Sequence, residues 1–274
     1  MEPNPNFKNR PPQFYALVRY ASQELGYSKR RSKKNPEPRL KRYDREDILG
    51  IATSVNLGKD LANDVREYMN YRSEVLEDEV SPKFMDREEA RKVFERLRKK
   101  YNPTCKLPMN KQKGDKSHHS YFTCIINMIS EYNLGGVNFN DNPGQLATIT
   151  DDDGVLVKTL SRRVDGAYPS LRDPIAIWEI KEYYGTTTFG SRVADAVYET
   201  QLDGHELDDA EKSVSHDINH YLFVDDRSTW WEKGRSYLCR LVDAMHEGTV
   251  DEVIFGREVL DRWPIIIKGW SVSR

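Results

Sequence analysis

The sequence predicts an α/β (α+β) fold in which a mixed central sheet flanked by helices follows a helical N-terminal half. Two observations carry this. In the first half, apolar residues recur with helical spacing between capping and stop signals; beyond Gly135-Gly136, short β-branched and aromatic runs alternate with helical segments. At 274 residues the chain can bury a large core, and it divides into a helical, basic region over 1–102 and a core over 103–274.

Pro3, Pro5, Pro11 and Pro12 make the first residues an extended arm, followed by a helix from about Gln13 to Leu25. Pro36 and Pro38 exclude a continuous helix from the basic stretch 29–42, which reads as a charged loop. Asp44 caps a helix through Val55, a second helix runs from Lys59 to Glu79, and Asp86 with Glu89 forms the capping box of a third reaching Lys100. A polar connection leads to an apolar helix from Ser117 to Tyr132, stopped by Gly135-Gly136. Leu146 to Thr150 and Val155 to Leu160 form a hairpin across Asp153-Gly154. Arg163 to Tyr168 continues or follows it, and Ile175 to Tyr183 is the next strand. A helix from Ser191 to Leu202, a strand at Tyr221 to Val224, a helix from Trp231 to Met245 and a strand at Glu252 to Phe255 complete the order.

Composition narrows the function. Cys105, Cys124 and Cys239 are widely spaced and make no C-x-x-C pair, so they support neither a disulfide framework nor a zinc ribbon. The N-terminus lacks the apolar run of a signal peptide and no stretch approaches a membrane span, so a cytoplasmic protein without a membrane partner is expected. The net charge of −2 hides an asymmetry, because residues 1–50 hold twelve Lys/Arg against six Asp/Glu. Such separation is a cue for a polyanionic partner. No glycine-rich phosphate loop is present, which argues against a motor or kinase.

The chemistry concentrates in Arg163-Val164-Asp165-Gly166-Ala167-Tyr168 and Ile175-Ala176-Ile177-Trp178-Glu179-Ile180-Lys181. Strand alternation puts Glu179 and Lys181 on one face with Ile175 and Ile177, and Ala176, Trp178 and Ile180 on the other. With the turn centred near Leu171, Asp165 falls opposite Ile177 and diagonal to Glu179, and the two carboxylates can share one divalent cation. Hydrolysis of a phosphodiester calls for such a cation, and two hard oxygen ligands suit Mg²⁺. Lys181 would orient or deprotonate the attacking water, its pKa lowered by burial.

Asp165, Glu179 and Lys181, in this order on adjacent strands, resemble the PD-(D/E)XK nucleases, and among them the type II restriction endonucleases. The resemblance covers roughly residues 117–256, with Val164 standing where the family name has proline. It implies a restriction-endonuclease-like core and a Mg²⁺-dependent endonuclease that cleaves double-stranded DNA to leave 5′-phosphates. Asp165 and Glu179 would bind the metal. A homodimer is implied too, since paired sites match a palindromic duplex. Two alternatives stand beside this reading: a repair or defence nuclease without strict sequence preference, and a DNA-binding protein that does not cleave.

Other residues are candidates on lesser grounds. Glu131 sits where some restriction enzymes add a carboxylate, and Glu199 and Gln201 lie on the helix that follows the lysine strand; solvated helix positions are the plain alternative for all three. Lys29, Arg30, Arg31, Lys33 and Lys34 in the basic loop, with Arg162, Arg163 and Arg192 near the motif, are candidate phosphate contacts. His118-His119 lacks a third metal ligand and reads as a polar helix start. Gly166 serves a bend, or lets a phosphate approach closely.

Overall fold

The computed structural model describes residues 1–29, 36–37, 39–110, 118–184 and 190–272. Helix α1 (Pro12–Leu25) leads into a minimal hairpin of β1 (Ser28–Lys29) and β2 (Arg39–Leu40), which brackets the basic stretch. Arg30, Arg31, Lys33 and Lys34 lie outside the described residues. Helices α2 (Arg45–Ser54) and α3 (Lys59–Val75) follow, the latter running on as a π-helical turn, Leu76–Val80. Phe14, Leu17, Val18, Ile48, Val65 and Tyr68 bury the facing sides of these three helices in one cluster.

Helix α4 (Arg87–Tyr101) begins at the expected capping box: Glu89 N donates to Asp86 Oδ1 at 2.8 Å, and Asp86 N donates to Glu89 Oε2 at 2.9 Å. Helix α5 (Tyr121–Leu134) starts later than Ser117, because 118–120 is drawn into pairing with 108–110. Helix α5 packs between α4 and strand 176–182, so α4 joins the C-terminal core through Ala90, Phe94 and Leu97.

The hairpin forms as β3 (Thr148–Thr150) and β4 (Leu156–Thr159), a sheet of its own. The main sheet is mixed, in the order β5 (Gly166–Tyr168), β6 (Ala176–Glu182), β7 (Asn219–Asp225) and β8 (Glu252–Phe255). Strands β5 and β6 are antiparallel; β6, β7 and β8 are parallel, each step bridged by a helix, α6 (Ser191–Glu211) and α7 (Arg235–Glu247). Alternation along β6 works as expected at its centre, with Ile177 in the cluster beneath α6 and Trp178 in the cluster toward α5. Ile175, ahead of the strand, packs with Trp178 instead of with Ile177.

Two departures from the sequence reading have clear causes. Helix α6 continues nine residues past the expected end at Leu202, through Gly204 to Glu211. A Cβ at Gly204 would meet the Thr249 carbonyl oxygen at 2.1 Å, so this glycine serves a close approach and not a helix end. The last helix, α8 (Val259–Val272), escapes the sequence reading. Pro264 inside it removes a helical hydrogen bond, but Trp263, Ile267 and Trp270 bury themselves against Trp178 and Tyr221. Among the described residues no helix is long and apolar enough to cross a membrane.

Candidate functional site

The β5–β6 register pairs Gly166 with Trp178, Ala167 with Ile177 and Tyr168 with Ala176. Ala167 therefore takes the place opposite Ile177 that the sequence reading gave to Asp165. The turn is centred one residue later because β3 pins it: Leu171 O accepts from Thr148 N and Asp173 N donates to Thr148 O, both at 2.8 Å. Asp165 stands just before β5, its amide donating to the Trp178 carbonyl at 3.0 Å, beside Glu179. Its Oδ2 accepts from Ile180 N at 2.8 Å, so the side chain stands in for the ladder partner that β5 no longer supplies.

Lys181 and Glu179 point beneath α6. Lys181 Nζ donates to Glu179 Oε2 at 3.0 Å and to Glu199 Oε2 at 2.6 Å. Arg162 enters the same cluster, 2.9 Å from Glu179 Oε1, 2.6 Å from Asp203 Oδ2 and 3.2 Å from Glu199 Oε2. Glu179 is 1 % exposed, and although Arg162 lies close, no donor of good geometry reaches its Oε1. Asp203 Oδ1 is likewise buried and without a donor. Four carboxylates, Asp165, Glu179, Glu199 and Asp203, thus surround two cations.

This excess shows in the proton affinities. Asp165 opens to solvent, yet the protein crowded around it and the Glu179 charge push its carboxyl up to about 7. Burial and Glu179 push Asp203 to about 7 as well, against the pull of Arg162. Burial would raise Glu179, but Lys181 and Arg162 hold it below the usual carboxylate range. Lys181 departs from expectation: burial acts to lower it, and the charges of Glu179, Asp165 and Glu199 outweigh burial and keep the ammonium protonated.

Asp165 lies on the wall of a cleft of about 680 Å³, with Arg163, Arg192 and Glu182. Glu182, on the opposite face of β6 from Lys181, accepts from Thr123 N and Thr123 Oγ1 at 3.0 Å; burial pushes it up to about 7. Arg163 and Arg192 are exposed in this wall, as phosphate contacts require, whereas Arg162 is committed to the carboxylate cluster. Lys29 is exposed on the small hairpin.

Two candidates are not brought to the site. Glu131 accepts from the Thr104 amide at 3.0 Å and tethers the loop after α4. Gln201 lines a different cavity, on another side of α6. The sequence reading missed Asp203 because it ended the helix at Leu202; with α6 running on to Glu211, Glu199 and Asp203 are four apart and share a face. Among the described residues no group of three or more His, Cys, Asp or Glu side chains is arranged to hold a metal ion. Two carboxylates still match Mg²⁺, which keeps several waters and takes one or two protein acids.

Gly166 answers to packing. A Cβ there would lie 2.0 Å from Trp178 Cε2. Gly166→Ala is expected to cost about 1–3 kcal/mol of stability as overpacking, measured by urea unfolding. An unchanged midpoint would mean that the buried Trp178 ring yields.

No curated protein matches the chain. No solved structure matches it either. Residues 1–79 match the family described as a domain of unknown function, DUF7690. Residues 85–270, more than half of the chain and the whole of the sheet with its candidate site, match the family described as a domain of unknown function, DUF7687, and the protein belongs to that family.

Proposed function

We infer that the protein is a Mg²⁺-dependent DNA endonuclease of the PD-(D/E)XK type, hydrolysing phosphodiesters in double-stranded DNA to leave 5′-phosphates. The observation that carries the reading is the juxtaposition of Asp165, just ahead of β5, with Glu179 and Lys181 on β6, inside a cluster with twice as many carboxylates as cations. Asp165 and Glu179 would hold the metal. Bound Mg²⁺ supplies charge neutralisation at the phosphate and a more acidic water. Lys181, kept protonated, stabilises negative charge as it develops and orients the water instead of removing its proton, while Glu199 fixes the ammonium in place. Arg163 and Arg192 receive flanking phosphates in the cleft. Homodimerisation on a palindromic site belongs to the same proposal.

One observation favours the non-cleaving alternative: Glu179 is already ion-paired with Lys181 and Arg162. Plasmid DNA incubated with Mg²⁺ or with chelator decides between them. Cutting that chelator abolishes supports the nuclease; intact plasmid under both conditions, with DNA retained in a binding assay, supports the alternative. If Arg163 and Arg192 contact phosphate, changing both to Ala flattens the slope of log affinity against log salt by about 0.9 per contact. An unchanged slope removes them from the DNA path.

A further inference from the structure

A second cavity, of about 360 Å³, opens between α1, α6 and α7. Its wall comes from both halves of the chain: Arg19 and Tyr27 from the first, and Tyr198, Gln201, His205 and Arg240 from the second. The Arg240 guanidinium sits 5.8 Å from the Tyr27 ring and 5.4 Å from the Tyr237 ring. Its side-chain partner is Tyr27, with Tyr198 and Tyr237 close by, and among the described residues no carboxylate lies within ion-pair distance of it. The other charges at the cavity are already engaged, Arg19 with Glu247 and Asp243 with Arg72. Arg240 is therefore a half-buried cation beside two aromatic rings, with no carboxylate to compensate its charge. Beside it Tyr198 is 59 % exposed, an aromatic surface presented to solvent. Lys29 and Arg39, paired across the small hairpin, follow Tyr27.

We propose that this cavity binds one nucleotide unit, with the phosphate on Arg240 and the base stacked on Tyr198. A planar guanidinium matches the phosphate oxygens, and an exposed tyrosine stacks on any base because every base has a π face. Gln201 and His205 supply hydrogen-bonding edges around the sugar and base. Helix α6 has two working faces: Glu199 reaches Lys181, while Tyr198 and Gln201 face this cavity. The site does not rest on the metal chemistry proposed above, and it is complete only when the two halves of the chain are docked.

The test uses the full chain in chelator, so that nothing can be cleaved. Deoxyadenosine monophosphate, inorganic phosphate and a short single-stranded oligonucleotide are titrated separately by calorimetry. Two variants are compared, Arg240→Leu and Tyr198→Ala; Tyr198 is exposed, so its loss should leave the fold intact. Loss of a stacked base, about 1–3 kcal/mol, corresponds to about 5- to 150-fold weaker binding for Tyr198→Ala. Mononucleotide binding weakened by both variants supports a site for free nucleotides. Binding of the oligonucleotide alone, weakened by both variants, supports a site for one unit of a strand. Inorganic phosphate binding as tightly as the mononucleotide, with Tyr198→Ala silent, overturns the proposal, and so does the absence of binding.

Discussion

Lys181→Ala is expected to lose Mg²⁺-supported cleavage by at least about 10²-fold, the usual contribution of a positioned proton-transfer or water-orienting group, while DNA binding stays within about tenfold. The side chain is 7 % exposed and bonded to Glu179 and Glu199, so it could supply at most one of the cationic contacts of the proposed DNA interface. Its removal raises the negative excess of the cluster, leaving Arg162 as the one cation among those four carboxylates. The strand has independent support, because Trp230 Nε1 donates to the Lys181 carbonyl at 3.3 Å whatever side chain follows. Thermal unfolding of the variant separates loss of chemistry from loss of fold. A folded variant with wild-type turnover would sink the catalytic assignment of Lys181.

How far the sequence spoke depends on the range of the interaction. Period-two alternation along 175–183 was enough to put Glu179 and Lys181 on one face of a strand, because it needs only local backbone geometry. The capping box at Asp86 was legible for the same reason. Register was not: the two-residue offset between Asp165 and Ala167 opposite Ile177 follows from Thr148 bonding to Leu171 and Asp173, a contact between distant segments. Gly204 illustrates the same limit, since a glycine that admits a neighbouring carbonyl looks in sequence like one that ends a helix. In sequence Arg162 is a candidate phosphate contact beside the motif, and only the packing of α6 brings Glu199 and Asp203 over it. Local rules yielded the site's core, and tertiary packing decided its charge balance.

The largest effect on stability is expected at Arg72, which joins the two halves of the chain. It is fully buried on α3, and its Nη1 lies 2.8 and 2.7 Å from the two carboxylate oxygens of Asp243 on α7. Tyr68 OH adds a 2.7 Å bond to Asp243, and the Tyr27 ring packs over the guanidinium at 5.4 Å. Burial acts against the charged arginine, yet Asp243 outweighs it and holds Arg72 protonated. Arg72→Met would leave the Asp243 carboxylate buried with a single tyrosine donor, and the cost of such an uncompensated charge is about 3–5 kcal/mol. The double variant Arg72→Met with Asp243→Leu removes both charges and should recover much of that loss, because desolvating an ion pair already consumes most of its attraction. Urea unfolding of the two single variants and the double variant gives the coupling directly. Hydrogen exchange should rise first in α1 and α3, which rest on α7 through this pair and through the 2.7 Å bond from Tyr15 OH to the His246 carbonyl. A loss below about 1 kcal/mol for Arg72→Met would show that apolar packing between α3 and α7, and not the ion pair, holds the halves together.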